Sequence, residues 1–307
     1  MISYAQNFED VLLNRVFQQQ ESGFYIDVGA MDPEEGSVTK SFYDRGWRGI
    51  NIEPDRRFHL KLCAERVRDT NLNIAVGDLP GSHTFFAFED QGISTFDESF
   101  RDYFLDKGRP FCETVCDVTT LAEICRAHVN GQIDFLKIDA EGWEGPVLRG
   151  ADWVNYRPLV LLIECTAPYS HTPLWGDWEP YLLGRCGYLF VYFDGLNRYY
   201  VREENRELSS HFVYPVNVLD GFQMSSTVRA ENRAADLQVQ MQTLSEERRI
   251  LREENSKLRT DAHALRDQLK RAERELLEAR LWIGRLAEEA AAAKLIADRR
   301  PWTREAI

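Results

Sequence analysis

The chain lacks any apolar run that could cross a bilayer. Its longest aliphatic stretch, Leu159 to Ile163, is five residues, where a spanning helix takes about 20. No secretory leader is expected from MISYAQNFEDVLL, which carries acids where such a leader would be basic and then apolar. A soluble, cytoplasmic protein is the expectation. There is no excess of basic charge, since 37 Lys and Arg stand against 50 Asp and Glu, for a net −13. That balance argues against a nucleic-acid partner, which needs basic patches. Cysteine is sparse and scattered, at Cys63, Cys112, Cys116, Cys125, Cys165 and Cys186, with no C-x-x-C pair and no His-rich companion. Reduced, mostly buried thiols are expected there rather than a metal site.

Phe24 to Gly36, reading FYIDVGAMDPEEG, is an apolar run that ends in Asp27 and turns through Gly29 and Ala30. Apolar residues closed by a turn-former suggest a buried strand, and the glycine permits a sharp exit. A doubly wound α/β domain presents a nucleotide-like ligand in this way, at the carboxyl end of its first strand. The turn lacks the G-x-G-x-x-G of a dinucleotide fold. Asp32, Glu34 and Glu35 crowd it instead and would repel phosphate. A ligand with a cationic or hydroxyl-rich part, such as S-adenosylmethionine, fits better. The alternative is an ordinary buried strand with a turn.

The spacing predicts helices over 6–20, 37–44, 56–67 and 121–128. Between them GINIEP makes a strand closed by Glu53, which lies 26 residues beyond Asp27. An acid at the end of a second strand commonly accepts hydrogen bonds from both ribose hydroxyls. Leu72 to Val76 reads as a third strand, with Asp78 beyond it facing an adenine edge. Residues 89–107 are polar and aromatic and read as an insertion over the cleft. In IDFLKIDAEGWE, the exit of a strand over 133–138 carries Lys137, Asp139, Glu141 and Glu144 within eight residues. Alternation sets Lys137 and Asp139 on one side. Such a cluster suits general-base or metal-binding chemistry, and equally a salt-bridged strand end. RPLVLLIEC is a further buried strand with Glu164 at its end, and 188–193 with 198–201 reads as a hairpin. The expected fold is α/β of the class I, Rossmann-like methyltransferase type, with a mostly parallel seven-stranded sheet.

After Phe222 the sequence changes character. Leu237, Leu244, Leu251, Leu258 and Leu265 recur every seventh residue, opposed by positions running from Ala234 through Met241 and Asn255 to Ile283. A sustained heptad pattern without proline predicts a long coiled coil, and a buried asparagine such as Asn255 favours a two-stranded register. The resulting division is a catalytic domain over 1–222, a linker over 223–232, a coiled coil over 233–297 and a tail over 298–307. A homo-oligomer through the coil is expected, a dimer first and a trimer second.

With these residues read, the chain resembles the FkbM family of S-adenosylmethionine-dependent methyltransferases. The resemblance runs from about Tyr4 to Phe222. It rests on SYAQNFEDVLL, GFYIDVGAMDP, SVTKSFYDRGWRGINIEP, NLNIAVGD, IDFLKIDAEG, VLRGADW and FDGLNRYYV, in that order. Phe8 and Ala140 depart from the family's usual glycine and valine, without removing a ligand. The resemblance implies O-methylation of a hydroxyl on a sugar, glycan or related secreted product. A small polyketide or lipid hydroxyl is the alternative acceptor. A non-catalytic coiled-coil scaffold in a polysaccharide-assembly complex, or docking on glycosyltransferases, is a further possibility for the partner. In the enzyme reading, Asp27 with the Gly29 and Ala30 backbone holds the methionine part of the cofactor, Glu53 the ribose and Asp78 the adenine. Asp139 is the expected base or metal ligand, with Glu141 in support and Lys137 orienting the acceptor. Whether a divalent metal takes part stays open. Trp175 and Trp178 are candidates for stacking on an acceptor.

Overall fold

A computed structural model describes residues 1–89 and 93–297, so the tail expected at 298–307 lies outside the described residues. The chain divides into two units, one running from residue 1 to 229 and the other from 230 onward. In chain order the elements are β1 (Ile2–Ser3), α1 (Glu9–Phe17), β2 (Phe24–Val28), α2 (Lys40–Asp44), β3 (Arg48–Ile52), α3 (Arg56–Glu65), β4 (Thr70–Leu72) and β5 (Ala75–Gly77). There follow β6 (Gly81–Phe88), α4 (Glu98–Asp106), β7 (Phe111–Thr120), α5 (Leu121–His128), β8 (Phe135–Ile138), α6 (Glu144–Arg149) and β9 (Val160–Glu164). The last are α7 (Glu179–Arg185), β10 (Tyr188–Phe193), β11 (Asn197–Arg202), β12 (Gln223–Met224) and α8 (Ser225–Ala297).

Seven strands form the central sheet in the order β10-β11-β9-β8-β2-β3-β4. The pairs from β9 through β4 are parallel, and β11 joins β9 and β10 antiparallel. FYIDV, FLKI and VLLIE are almost unbroken buried runs, as strands covered on both faces must be. Alternate side chains serve two cores. Ile26, Ile50, Leu136 and Leu161 face one that includes α5 and α7, while Tyr25, Phe135, Val160 and Leu162 pack on Leu12, Phe17, Phe42 and Trp47.

Two boundaries differ from the sequence reading. The strand expected over 72–76 is split: β4 ends the main sheet, whereas β5 joins a separate three-stranded sheet with β7 and β6. The linker expected over 223–232 is not one. Gln223 and Met224 pair with Ile2 and Ser3, and α8 starts at Ser225, because nothing in SSTVRAEN breaks a helix. All six cysteines are free; Cys125, Cys165 and Cys186 are buried, while Cys63 and Cys112 are exposed. Among the described residues no helix is long and apolar enough to cross a membrane.

One buried cation sets the loop after β2. Arg66 is 1% exposed. It donates to the Pro33 carbonyl from Nε at 3.0 Å and Nη2 at 2.6 Å, and to Ser37 Oγ at 2.8 Å. Its counter-charge is Asp69 at 3.8 Å, whose carboxylate also accepts from Tyr25 Oη, Gly49 N and Asn51 Nδ2. Removing one partner of such a pair strands the other in the interior. Arg66→Ala should therefore cost about 3 kcal/mol in urea unfolding; a change near zero would mean that solvent reaches Asp69.

Candidate active site

Parallel register sets Val28 level with Ile52 and Ile138, and Ile138 level with Ile163. The next residues, Gly29, Glu53, Asp139 and Glu164, therefore leave the sheet at one edge. Strand order reverses between β2 and β8 at the same edge, which is where open α/β sheets form their ligand crevice.

Gly29 marks the tightest point. Its φ is +74°, and a Cβ there would lie 1.8 Å from the Asp139 carbonyl oxygen, so no other residue fits. The N–H groups of Gly29 and Ala30 both donate to the Ile52 carbonyl, at 3.0 and 3.2 Å. The neighbouring strand thus occupies these two amides, while both residues line the trough described below. Asp27 lies at the floor of the same trough, and its carboxylate is engaged by the protein. It is 1% exposed, its Oδ2 accepts from Thr39 Oγ1 at 3.1 Å, and its Oδ1 lies 3.2 Å from Lys137 Nζ.

Lys137 is the hub. Its Nζ donates to the Gly29 carbonyl at 2.6 Å and pairs with Asp139 Oδ2 at 3.3 Å as well as with Asp27. Burial works against the ammonium, but Asp139 and Asp27 outweigh it, and the lysine pKa stands above its ordinary value. Lys137 therefore remains a cation.

Beyond it, carboxylate oxygens of Asp139, Glu141 and Glu164 lie within 4.8 Å of one another. Desolvation, then the charges of Asp139 and Glu144, hold Glu141 well above the usual carboxyl range. Desolvation, then Asp139 and Glu141, do the same to Glu164. The cluster is relieved by a proton or by a cation, and these are the three residues that could hold a hard divalent ion. Glu144 does not belong to it. Its Oε1 accepts from the N–H groups of Ala140 and Gly142, both at 3.1 Å, and so fixes the turn that presents Glu141. Glu141 has a left-handed φ of 48°, a strained setting for a residue with a side chain. Thr95 Oγ1, fully buried in the inserted segment, holds its carbonyl at 2.7 Å.

Glu53 is nearly buried and bridges two loops. Oε2 accepts from Met31 N at 2.8 Å and Oε1 from Asp55 N at 2.7 Å. Desolvation pushes its carboxyl up to about 7 against those hydrogen bonds. It lines a cleft walled by Phe58, Val76, Phe85, Phe96 and Trp143. The Trp143 indole N–H is buried in that wall and has no hydrogen-bond partner among the described residues. An apolar slot with an unmet N–H and a carboxylate at its edge fits the adenine and ribose of S-adenosylmethionine. Asp78 does not contribute. It is half exposed, sits 3.8 Å from Arg149 and lies outside the cleft lining, since β5 departs from the main sheet. That corrects its assignment to the adenine.

A second, open trough of about 2,320 Å³ shares Gly29, Met31, Asp139 and Glu141 with the cleft, and adds Lys137 and Glu164. Thr166 to His171 line it, but Trp175 and Trp178, the expected stacking candidates, do not. Trp178 is buried in the core, and Trp175 packs on Phe193 and beneath Arg198. The 89–107 insertion contributes Ile93 to the trough and Ser94 and Phe96 to the cleft; its residues 90–92 lie outside the described ones.

Residues 27–190, more than half of the chain, match the Methyltransferase FkbM domain. The chain belongs to the FkbM methyltransferase family. A search of curated proteins gave no match. The matched span begins at Asp27 and takes in every strand end described above, and methyltransferases of this family generally use S-adenosylmethionine. Within the FkbM domain, sequence reasoning passed over Glu164, Trp143 and Thr95. The signal for Glu164 was present, since an acid ending a buried strand beside β8 must emerge next to Asp139. Nothing in the sequence marked Thr95.

Glu9, Glu53 and Glu144 all have carboxyls raised to about 7 from 4.5. The folded protein thus keeps protons that the unfolded chain gives up first. Stability should fall as pH rises from 4.5 to 7 on account of these groups. Glu53→Gln, which cannot ionise, should flatten that slope in urea unfolding across the window, whatever its effect at a single pH. An unchanged slope would mean that Glu53 is ionised in the native state.

Proposed function

We propose that the FkbM domain is an S-adenosylmethionine-dependent O-methyltransferase acting on a hydroxyl of a sugar or glycan. The observation that carries this is Asp139, whose side chain stands where the cleft meets the trough, 3.3 Å from the Lys137 ammonium. When bound, S-adenosylmethionine supplies a methyl group on a cationic sulfur, open to in-line attack. Glu53 and Trp143 hold the cofactor's ribose and adenine. Asp139 takes the hydroxyl proton as the acceptor oxygen attacks, a step that a sugar hydroxyl of high pKa requires. Lys137 steadies the acceptor oxygen and keeps Asp139 aimed, while Glu141 and Glu164 hold a proton or a divalent cation beside it.

The polar lining of the trough supports a hydroxyl-rich acceptor. Tyr4, Asn7, Ser37, Ser170 and His171 give its walls hydroxyl, amide and imidazole groups, which suit a hydroxyl-rich chain. A polyketide or lipid would leave those polar groups without partners.

Methyl transfer from labelled cofactor to purified glycans tests the proposal. Asp139→Asn should lower kcat by about 10²–10⁴-fold with cofactor affinity unchanged. Glu53→Ala should weaken cofactor binding by roughly 10-fold or more in calorimetry, as loss of a charged hydrogen-bond partner does. Activity abolished by a chelator and restored by Mg²⁺ would assign the three carboxylates to a cation. No heat of cofactor binding in the parent protein, with Glu53→Ala indistinguishable from it, would leave the domain a non-catalytic scaffold.

A further inference from the structure

We propose that α8 is one strand of a parallel, in-register, two-stranded coiled coil whose partner is a second copy of this chain. The apolar seam runs at every seventh residue from Ala234 to Ile283 and from Leu237 to Leu286. Leu244, Leu251, Leu258 and Leu265 on it are each more than 60% exposed, so the helix alone leaves its whole stripe to water. The occupant is identified by the charges that flank the stripe. On one side stand Glu247, Glu254, Asp261 and Glu275; on the other stand Arg252, Arg259, Arg266 and Arg280.

In a parallel pair each acidic flank faces the basic flank of the next heptad on the other helix. Glu247 then meets the partner's Arg252, Glu254 the partner's Arg259, Asp261 the partner's Arg266 and Glu275 the partner's Arg280. Each contact is made twice, once in each direction across the seam. The intervening steps, Gln240 with Ser245 and Gln268 with Glu273, carry no like-charge pair. An antiparallel pair would set acid on acid and arginine on arginine along its length. Nor are these charges satisfied within one helix. On the outer face Arg249 pairs with Glu246 at 2.7 Å and Glu253 at 2.6 Å, whereas the flanking acids and arginines make no ion pair among the described residues.

Register follows from the two polar seam positions. Asn255 meets another asparagine only when the helices are level, and a buried asparagine pair favours two strands over three. Arg248 on the seam lies beside the partner's Glu247. A parallel pair brings both helix N-termini to one end of the coil.

Sedimentation of the full chain should give twice its 35.6 kDa; a monomer or a trimer overturns the proposal. In a Leu244→Cys variant, mild oxidation should link two chains in a parallel pair, because residue 244 then faces its own copy. Linkage no greater than in the parent, whose exposed Cys63 and Cys112 set the background, overturns the parallel register. Reversing the acidic flank (Glu247→Lys, Glu254→Lys, Asp261→Lys and Glu275→Lys) should weaken self-association at least about tenfold. Mixing that variant with one carrying Arg252→Glu, Arg259→Glu, Arg266→Glu and Arg280→Glu should restore pairing. Self-association unaffected by the reversal would remove the charges from the interface.

Discussion

The buried Lys137 ammonium, held among Asp27, Asp139 and the Gly29 carbonyl, is the contact on which the rest of the site depends. It sits on β8 and reaches across to the exit of β2, so it ties together the two strands between which the sheet order reverses. Without it, Asp27 would be an unpaired charge in the core, a condition that costs roughly 3–5 kcal/mol. Two anions outweigh its desolvation, so it stays charged, and that charge keeps an acid-rich strand edge tolerable. Two more carboxylates, Glu144 and Glu164, crowd within reach of Asp139 and Glu141, and Lys137 is the cation that opposes them.

Around that ion pair the backbone is set by side chains that reach back to it. Glu53 holds Met31, Glu144 holds the 140–142 turn, Thr95 holds Glu141, and Arg66 holds Pro33. Met31 and Glu141 are both left-handed, and both line the cleft and the trough. Strain of this sort persists only where its surroundings over-determine it. Here the surroundings are carboxylates and a hydroxyl aimed at backbone groups, which leaves Asp139 fixed in place with part of its surface open.

α8 answers to different physics. The helix owes nothing to a core, since only Ser225 within it is buried. Its apolar stripe and paired flanking charges are meaningful only beside another helix. A chain that is strongly acidic overall carries a near-balanced segment there, with charges of both signs sorted to opposite flanks, and sorting of that kind serves recognition rather than solubility.

Much of this was legible in the chain itself. Apolar runs ended by Asp27, Glu53 and Asp139, spaced by helices, identified the parallel strands and the edge at which they end, because burial on both faces and one-residue register leave little freedom. The heptads identified α8 for the same reason: local periodicity is written in consecutive residues. The fate of each polar group was not. Asp27 turned inward to Lys137, the Gly29 and Ala30 amides were taken by Ile52, Asp78 left with a strand that changed sheets, and Glu144 capped a turn. In each case but that of Glu144, whose partners lie in its own turn, a partner distant in sequence decided whether a polar atom faced a ligand or another part of the protein. Sequence by itself determined which groups reach the strand edge, since the register of buried strands follows from their own apolar pattern. Only the tertiary structure decided which of those groups remain free for chemistry, because a hydrogen bond or ion pair is spent on whichever partner the fold brings within 3 Å or so.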